Sequence, residues 1–314
     1  MLEHLLTEQR NAASAEIDRL PTEQALRVIN AEDSKVAEAV GREIPQIARA
    51  VDAIAEALQK GGRLFYIGAG TSGRLGVLDA SEIPPTFGAD PELVRGVIAG
   101  GEAALSRATE ASEDDPAIGA RDLAARGFRA GDVLVGIAAS GRTPYVLGAL
   151  EYARGLGAVT VGISCAPESE LARAAAIAIT PLVGPEVIAG STRMKAGTSQ
   201  KLVLNMLSTG VFIRLGYVYG NLMVNVQPKN TKLVDRARRI IAAVAEVPYE
   251  RAAELLDAGG NNVRTAIVMA KTGCPRREAE RRLAEAGGRV GDALERNGDR
   301  QPFPREGGRG NSEI

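Results

Sequence analysis

Five short, nearly uninterrupted apolar runs constrain the fold of this chain more than any other feature. They alternate with stretches of helical periodicity and lie at 63–67, 93–99, 132–138, 158–164 and 176–180. Strands that are apolar on both faces and alternate with helices are typical of a parallel sheet covered by helices on both sides. The pattern therefore predicts an α/β fold that is closed by a long helix after the fifth run.

The chain has 314 residues, which suits this α/β domain and a smaller second one, since domains average about 100–200 residues. We place a polar helical segment at 1–50 and the sheet domain at 51–220. A linker at 221–232 leads to short helical stretches, separated by glycines, that predict a small helical domain at 233–297. The Gly-, Arg- and Pro-rich residues 298–314 are predicted to be disordered.

The composition disfavours several classes of partner and site. A net charge of −1 argues against nucleic acid or an anionic membrane as the main partner. No apolar run approaches the roughly 20 residues of a membrane span, and no signal peptide is recognisable, so we expect a cytoplasmic protein. Cys165 and Cys274 fit neither a zinc site nor a disulfide framework. With His4 as the only histidine, we expect neither histidine catalysis nor a His-rich metal site, and acid–base chemistry from carboxylates, Lys, Tyr or Cys. We also expect no cofactor.

Two loops that directly follow predicted strands combine small residues with hydroxyl groups. They are Gly68-Ala-Gly-Thr-Ser-Gly73 and Ala138-Ala-Ser-Gly-Arg-Thr143. Ligands of parallel α/β sheets bind outside the carboxyl ends of the strands. Glycines let backbone N–H groups approach an anion, and a helix N-terminus adds a partial charge of about +0.5. We therefore predict that a phosphate group is bound by Thr71, Ser72, Gly73, Ser140, Gly141 and Thr143.

The first loop also matches the dinucleotide fingerprint Gly-x-Gly-x-x-Gly. That interpretation needs an acidic residue about 20 positions further on, at the end of the second strand. Here the second strand ends in Gly100-Gly101, and Glu102 comes late. A dinucleotide would also leave Ser140 and Thr143 unexplained. A tight strand–helix turn without a ligand is the other alternative.

Longer motifs around these loops resemble the N-acetylmuramic acid 6-phosphate etherases, a family with the sugar isomerase (SIS) fold that is related to the glucokinase regulatory protein. The resemblance extends over roughly residues 5–296. Its motifs are LFYIGAGTSGRLGVLDASEIPPTFG at 64–88, VGIAASGRTPY at 135–145, IAGSTRMKAGT at 188–198 and GNLMVN at 220–225.

The resemblance implies an activity, a partner and an assembly. The activity is cleavage of the D-lactyl ether of N-acetylmuramic acid 6-phosphate, which gives N-acetylglucosamine 6-phosphate and D-lactate during recycling of cell-wall amino sugars. The partner is a small-molecule amino sugar phosphate, and the family is homodimeric and needs no metal. The C-terminal helices resemble a ubiquitin-associated (UBA-like) module.

The family motifs also imply a catalytic pair, Glu82 and Glu113. Glu82 would protonate the departing lactate oxygen and later activate water, and Glu113 would be its partner and the base at C2, with the division of roles left open. The residues by themselves allow other interpretations. Glu82 precedes Pro84-Pro85 and can be a helix-end charge, and Glu113 lies in an acidic cluster of the kind that is usually solvated.

A polar cluster precedes the long closing helix: Ser191, Thr192, Arg193 and Lys195. It either contacts the phosphate and the lactyl carboxylate of the substrate, or it caps the helix through Ser191 or Thr192. Two alternative functions also remain. A SIS aldose–ketose isomerase needs one base near C2 and no lactate pocket. A sugar-phosphate-sensing regulator, like the glucokinase regulatory protein, needs a protein partner and no turnover.

Overall fold

The structure is a computed structural model that describes residues 7–107 and 113–295. The chain forms two compact units, Met1–Arg214 and Leu215–Ile314. His4 and the predicted tail at 298–314 lie outside the described residues. Within the described ranges, no helix is both long enough and apolar enough to cross a membrane.

The first unit is built on a five-stranded parallel sheet. Its strands are β1 (Leu64–Gly68), β2 (Val94–Ile98), β3 (Val133–Ile137), β4 (Val159–Ile163) and β5 (Ile177–Ile179), in the spatial order β2-β1-β3-β4-β5. Every pairing in this sheet is parallel. All side chains of β1 and β3 are buried, which is why these segments are apolar without alternation. The predicted α/β class and parallel sheet are confirmed.

Helices cover both faces of this sheet. In chain order they are α1 (Thr22–Asp33), α2 (Val36–Gly41), α3 (Ile44–Gln59), α4 (Gly70–Phe87), α5 (Ala103–Ser106), α6 (Pro116–Ala125), α7 (Pro144–Gly155), α8 (Glu170–Ala174) and α9 (Lys195–Arg214), preceded by short 3-10 turns at Ala12–Ser14 and Ile17–Arg19. Helices α3 and α4 both contact α9, and α6 and α8 contact α7. Phe65 and Ile67 of β1 share a core cluster with Tyr145 and Leu150 of α7.

Helix α4 packs closely on the sheet at two glycines. A Cβ on Gly76 would lie 3.0 Å from Cβ of Tyr66, and a Cβ on Gly96 would lie 2.6 Å from Cα of Val77. A side chain at either glycine would push α4 away from β1 and β2. The glycines therefore let α4 pack directly on β1 and β2.

The second unit is helical, as the sequence predicts. A short antiparallel pair, β6 (Val218–Tyr219) and β7 (Leu222–Met223), precedes α10 (Thr231–Ala245), α11 (Tyr249–Ala258), α12 (Val263–Thr272), α13 (Arg276–Glu285) and α14 (Val290–Glu295). Asn230 and Asn262 cap α10 and α12 by accepting from Leu233 N–H and Thr265 N–H. Val224, within the predicted linker, is buried in the core of this unit.

Candidate active site

The two predicted phosphate loops start side by side at the carboxyl edge of the sheet. Gly68, at the end of β1, is opposite Ile137, at the end of β3, so the loops leave neighbouring strands at the same level. The strand order β2-β1-β3-β4-β5 also reverses direction between β1 and β3. Open α/β sheets bind their ligands at this kind of switch point.

The first loop presents a helix start with unused donors. Thr71, Ser72 and Gly73 lie in the first turn of α4, where the N–H of Gly73 already donates to the carbonyl of Ala69 at 3.1 Å. The N-cap residue is Ala69, whose methyl group cannot accept a hydrogen bond from the first-turn N–H groups. These N–H groups and the helix dipole favour an anion at this position.

The second loop is held in shape by Gly141. Its φ is +65°, and a Cβ there would lie 2.2 Å from Oγ of Ser169. The carbonyl of Gly141 accepts from the N–H of Leu171 at 2.9 Å, which joins the loop to α8. Oγ of Ser140 accepts from the N–H of Arg142 at 3.4 Å, so its own proton can be donated elsewhere. Thr143 is the N-cap residue of α7 but makes no capping hydrogen bond through its side chain.

The structure places Glu113 at the starts of α4 and α7, the helices that follow the two loops. Its Oε1 lies 3.4 Å from the position that a Cβ on Gly70 would occupy, at the first residue of α4. Its backbone carbonyl accepts from the N–H of Tyr145, in the first turn of α7, at 3.0 Å. The carboxylate that the family motifs single out is therefore adjacent to the predicted phosphate site.

Glu82 lies elsewhere. It is an exposed residue of α4, twelve positions after Gly70. With a rise of 1.5 Å per residue, its Cα is about 18 Å from that of Gly70 along the helix. A single copy of the chain thus does not bring Glu82 to the phosphate loops. The helix continues past it through Pro84 and Pro85 to Phe87, and Gly88, whose φ is +62°, is the C-cap residue.

The structure also shows how the start of α9 is capped and where the polar cluster before it lies. Glu186 caps this helix, because its carboxylate accepts from the N–H groups of Lys195 at 2.8 Å and Ala196 at 2.9 Å. The first two N–H groups of α9 are therefore capped by Glu186 and not by the side chain of Ser191 or Thr192. Thr192 lies beside the first loop instead, since its carbonyl accepts from the N–H of Gly197, and a Cβ on Gly197 would contact Thr71 at 3.5 Å.

Lys195 is buried in an ion pair. Its side chain is 1% exposed, and Nζ donates to Oε2 of Glu32 at 2.7 Å. Burial would raise the pKa of Glu32, but hydrogen bonds from Lys195, Lys35 and Asn11 outweigh it and lower the pKa to about 2. The charge of Lys195 is thus balanced within the protein, and its predicted contact with substrate stays a prediction.

Polar contacts at two positions of α4, Ser72 and Asp79, join it to α9 behind the first loop. Oγ of Ser72 donates to Oε1 of Gln200 at 2.9 Å, in a buried position. Two turns further along α4, Oδ1 of Asp79 accepts from Oγ of Ser208 at 3.3 Å and lies 3.8 Å from Nζ of Lys201. Burial raises the pKa of Asp79, and Tyr66, Lys201 and Ser208 oppose that rise. Gln200 is not recognisable from the sequence, because nothing local distinguishes it from other helix residues.

Comparison with known proteins identifies the family. The N-terminal SIS domain of the glucokinase regulatory protein matches residues 46–154, and the SIS domain matches residues 112–210. The N-acetylmuramic acid 6-phosphate etherase of Aeromonas hydrophila subsp. hydrophila is 57% identical over 287 residues, covering 91% of this chain and 96% of that protein. The etherase of Lactobacillus acidophilus is 51% identical over 296 residues, covering 94% and 99%. At this identity and coverage, the chain belongs to the N-acetylmuramic acid 6-phosphate etherase family.

Proposed function

We propose that this chain cleaves the D-lactyl ether of N-acetylmuramic acid 6-phosphate and releases N-acetylglucosamine 6-phosphate and D-lactate. The observation that carries the proposal is the position of Glu113. Its carboxylate stands at Gly70, where α4 begins, and its carbonyl binds the N–H of Tyr145, where α7 begins. An acid–base group is thus adjacent to a helix start that favours an anion. The identity of the substrate is inferred from the etherase relatives.

The phosphate of the substrate would be the anchor. It would accept hydrogen bonds from N–H groups in the first turn of α4 and from hydroxyl groups of both loops. The proposed phosphate contacts are Thr71, Ser72, Gly73, Ser140, Gly141 and Thr143. The N–H groups of Gly73 and Gly141 already donate to the carbonyls of Ala69 and Ala138. Binding would therefore come from the hydroxyl groups and the remaining N–H groups at the two helix starts, and no metal or cofactor is among the proposed partners.

The chemistry requires one acid and one base. Opening the sugar to its aldehyde acidifies the proton at C2, and a base removes it. The C3–O bond breaks as an acid protonates the lactate oxygen, so that a C2=C3 double bond forms and lactate leaves as its alcohol. Water then adds its hydroxyl at C3, a proton returns to C2, and the ring closes. We assign Glu113 to the C2 proton, and Glu82 to the lactate oxygen and the water.

A homodimer would complete this site. Glu82 is about 18 Å along α4 from Gly70, which is further than a hexose phosphate spans from its phosphate to O3. A second copy of the chain can present its own Glu82 to the site that holds Glu113. We therefore propose a cytoplasmic homodimer with shared active sites that acts in the recycling of cell-wall amino sugars.

The reaction is tested by incubating the protein with N-acetylmuramic acid 6-phosphate in water labelled with heavy oxygen. We expect D-lactate without label and N-acetylglucosamine 6-phosphate with the label at C3. Label in lactate would mean displacement at the lactyl carbon and would contradict the elimination. A ketose phosphate without lactate would indicate the isomerase, and binding without any product would indicate the regulator.

Shared sites predict a specific result when two inactive variants are mixed. Glu82→Gln and Glu113→Gln are each expected to be inactive alone. After exchange of subunits, half of the dimers contain both variants, and one of the two sites in each then has both carboxylates intact. We expect activity to return to roughly a quarter of the wild-type value. Mixed dimers that form, as shown by differently tagged copies, but remain inactive would contradict the sharing of sites.

A further inference from the structure

The buried pair formed by Ser72 and Gln200 has an unused hydrogen-bonding group. Ser72 is 8% exposed and Gln200 is 1% exposed. Oγ of Ser72 donates to Oε1 of Gln200 at 2.9 Å, whereas Nε2 of the same amide is buried and has no hydrogen-bond partner within the described part of the chain. A buried N–H donor without an acceptor is unfavourable and calls for a physical explanation.

The arrangement also affects how Ser72 can bind phosphate. A serine hydroxyl has one proton, and here that proton points to Gln200. Ser72 then faces an anion with its lone pairs only. Turning the Gln200 amide by 180° exchanges its oxygen and nitrogen without moving the rest of the side chain. In that orientation Nε2 donates to Oγ of Ser72, and the serine proton is released toward the loop.

We propose that Gln200 is a positioning residue for the substrate phosphate: by donating from Nε2 to Oγ of Ser72, it directs the Ser72 proton to a phosphate oxygen. The inference rests on the proposed phosphate site and adds to it a residue from α9, 128 positions away in sequence. The same rotation gives the buried Nε2 an acceptor. Gln200 itself does not touch the phosphate.

The surroundings of Gln200 hold it in place for this role. Glu186 caps α9 at Lys195 and Ala196, close to Gln200 in the helix. One turn before Gln200, Gly197 lies close enough to the first loop that a Cβ there would contact the methyl group of Thr71 at 3.5 Å. The start of α9 is therefore packed on the loop, and the Gln200 amide needs only to rotate about its last bond.

Binding of N-acetylglucosamine 6-phosphate, measured by calorimetry, tests the proposal without relying on turnover. Gln200→Met keeps the length of the side chain but removes the hydrogen bond, and we expect it to weaken binding about tenfold. Gln200→Glu can only accept from Ser72 and adds a negative charge, so its loss of affinity is expected to exceed that of Gln200→Met. For both variants KM should rise more than kcat falls.

The matched control is Ser199→Ala. Ser199 is the neighbouring buried residue of α9. Its Oγ donates to the carbonyl of Ala196 and lies 3.4 Å from Sγ of Cys165, so its hydrogen bonds do not involve Ser72. This variant should perturb the helix to a similar extent but leave the affinity for N-acetylglucosamine 6-phosphate unchanged. An equal loss in Ser199→Ala would mean that Gln200→Met acts through general disturbance of α9 and would overturn the proposal.

A double-mutant cycle with Ser72→Ala separates the proposal from the function on which it rests. If Gln200 acts through Ser72, Gln200→Met should cause no further loss in the Ser72→Ala background. Additive losses would overturn the inference. Normal affinity of Gln200→Met beside weakened affinity of Ser72→Ala would overturn it while leaving the phosphate site intact. Normal affinity of Ser72→Ala would overturn both the inference about Gln200 and the assignment of Ser72 as a phosphate contact.

Discussion

Glu113→Gln is expected to lower kcat for lactate release by about 10²–10⁴-fold, the range that a positioned acid–base group typically supplies. The amide has nearly the same shape as the carboxylate beside Gly70 but cannot take the proton from C2. Binding of N-acetylglucosamine 6-phosphate should stay within a few-fold of wild type, because the phosphate contacts are unchanged. Single-turnover assays together with calorimetry measure the two quantities separately.

The acidic cluster offers a matched control for this substitution. Asp114 is the next residue in the chain and is exposed. Asp114→Asn changes the charge of the same segment by the same amount, and we expect it to retain near wild-type kcat. If Glu113→Gln kept full activity, or if Asp114→Asn lost as much as Glu113→Gln, the assignment of Glu113 as the acid–base group would be wrong.

Glu32→Gln is expected to destabilise the first unit by about 3–5 kcal/mol, because it leaves the ammonium of Lys195 buried without a balancing charge. Urea unfolding followed by circular dichroism measures the loss. Glu38→Gln is the control, since its ion pair with Arg42 is exposed on the helix surface and should contribute little. Glu32→Met combined with Lys195→Met should recover most of the lost stability, because it removes both charges.

The same ion pair predicts how stability depends on pH. The pKa of Glu32 is lowered from 4.5 to about 2 by its hydrogen bonds with Lys195, Lys35 and Asn11. A lowered carboxyl pKa stabilises the folded state above the unfolded pKa, and this contribution is lost as the pH falls toward the folded pKa. The stability of the wild type should therefore decline more steeply than that of Glu32→Gln as the pH falls from 4.5 to 2. Parallel declines would contradict the assigned role of Glu32.

The architecture of the first unit was predictable because its strands are buried on both faces. Each predicted strand overlaps an observed one, for example 132–138 against Val133–Ile137, since continuous burial leaves a continuous apolar run. The long helix predicted after the fifth apolar run lies at Lys195–Arg214. Helix α14, at Val290–Glu295, was not predicted as a separate helix, because six residues are too short to show helical periodicity.

The sequence by itself determined the α/β class, the two loops at the ends of β1 and β3, and, through its motifs, the family. These features are local, because strand burial and glycine-rich turns each leave a signal within a few neighbouring residues. Only the tertiary structure decided which side chains meet. It paired Lys195 with Glu32 across 163 residues and Ser72 with Gln200 across 128, and it brought Glu113, but not Glu82, to the loops. Such pairings depend on how helices pack on the sheet, and a local sequence pattern does not predict that packing.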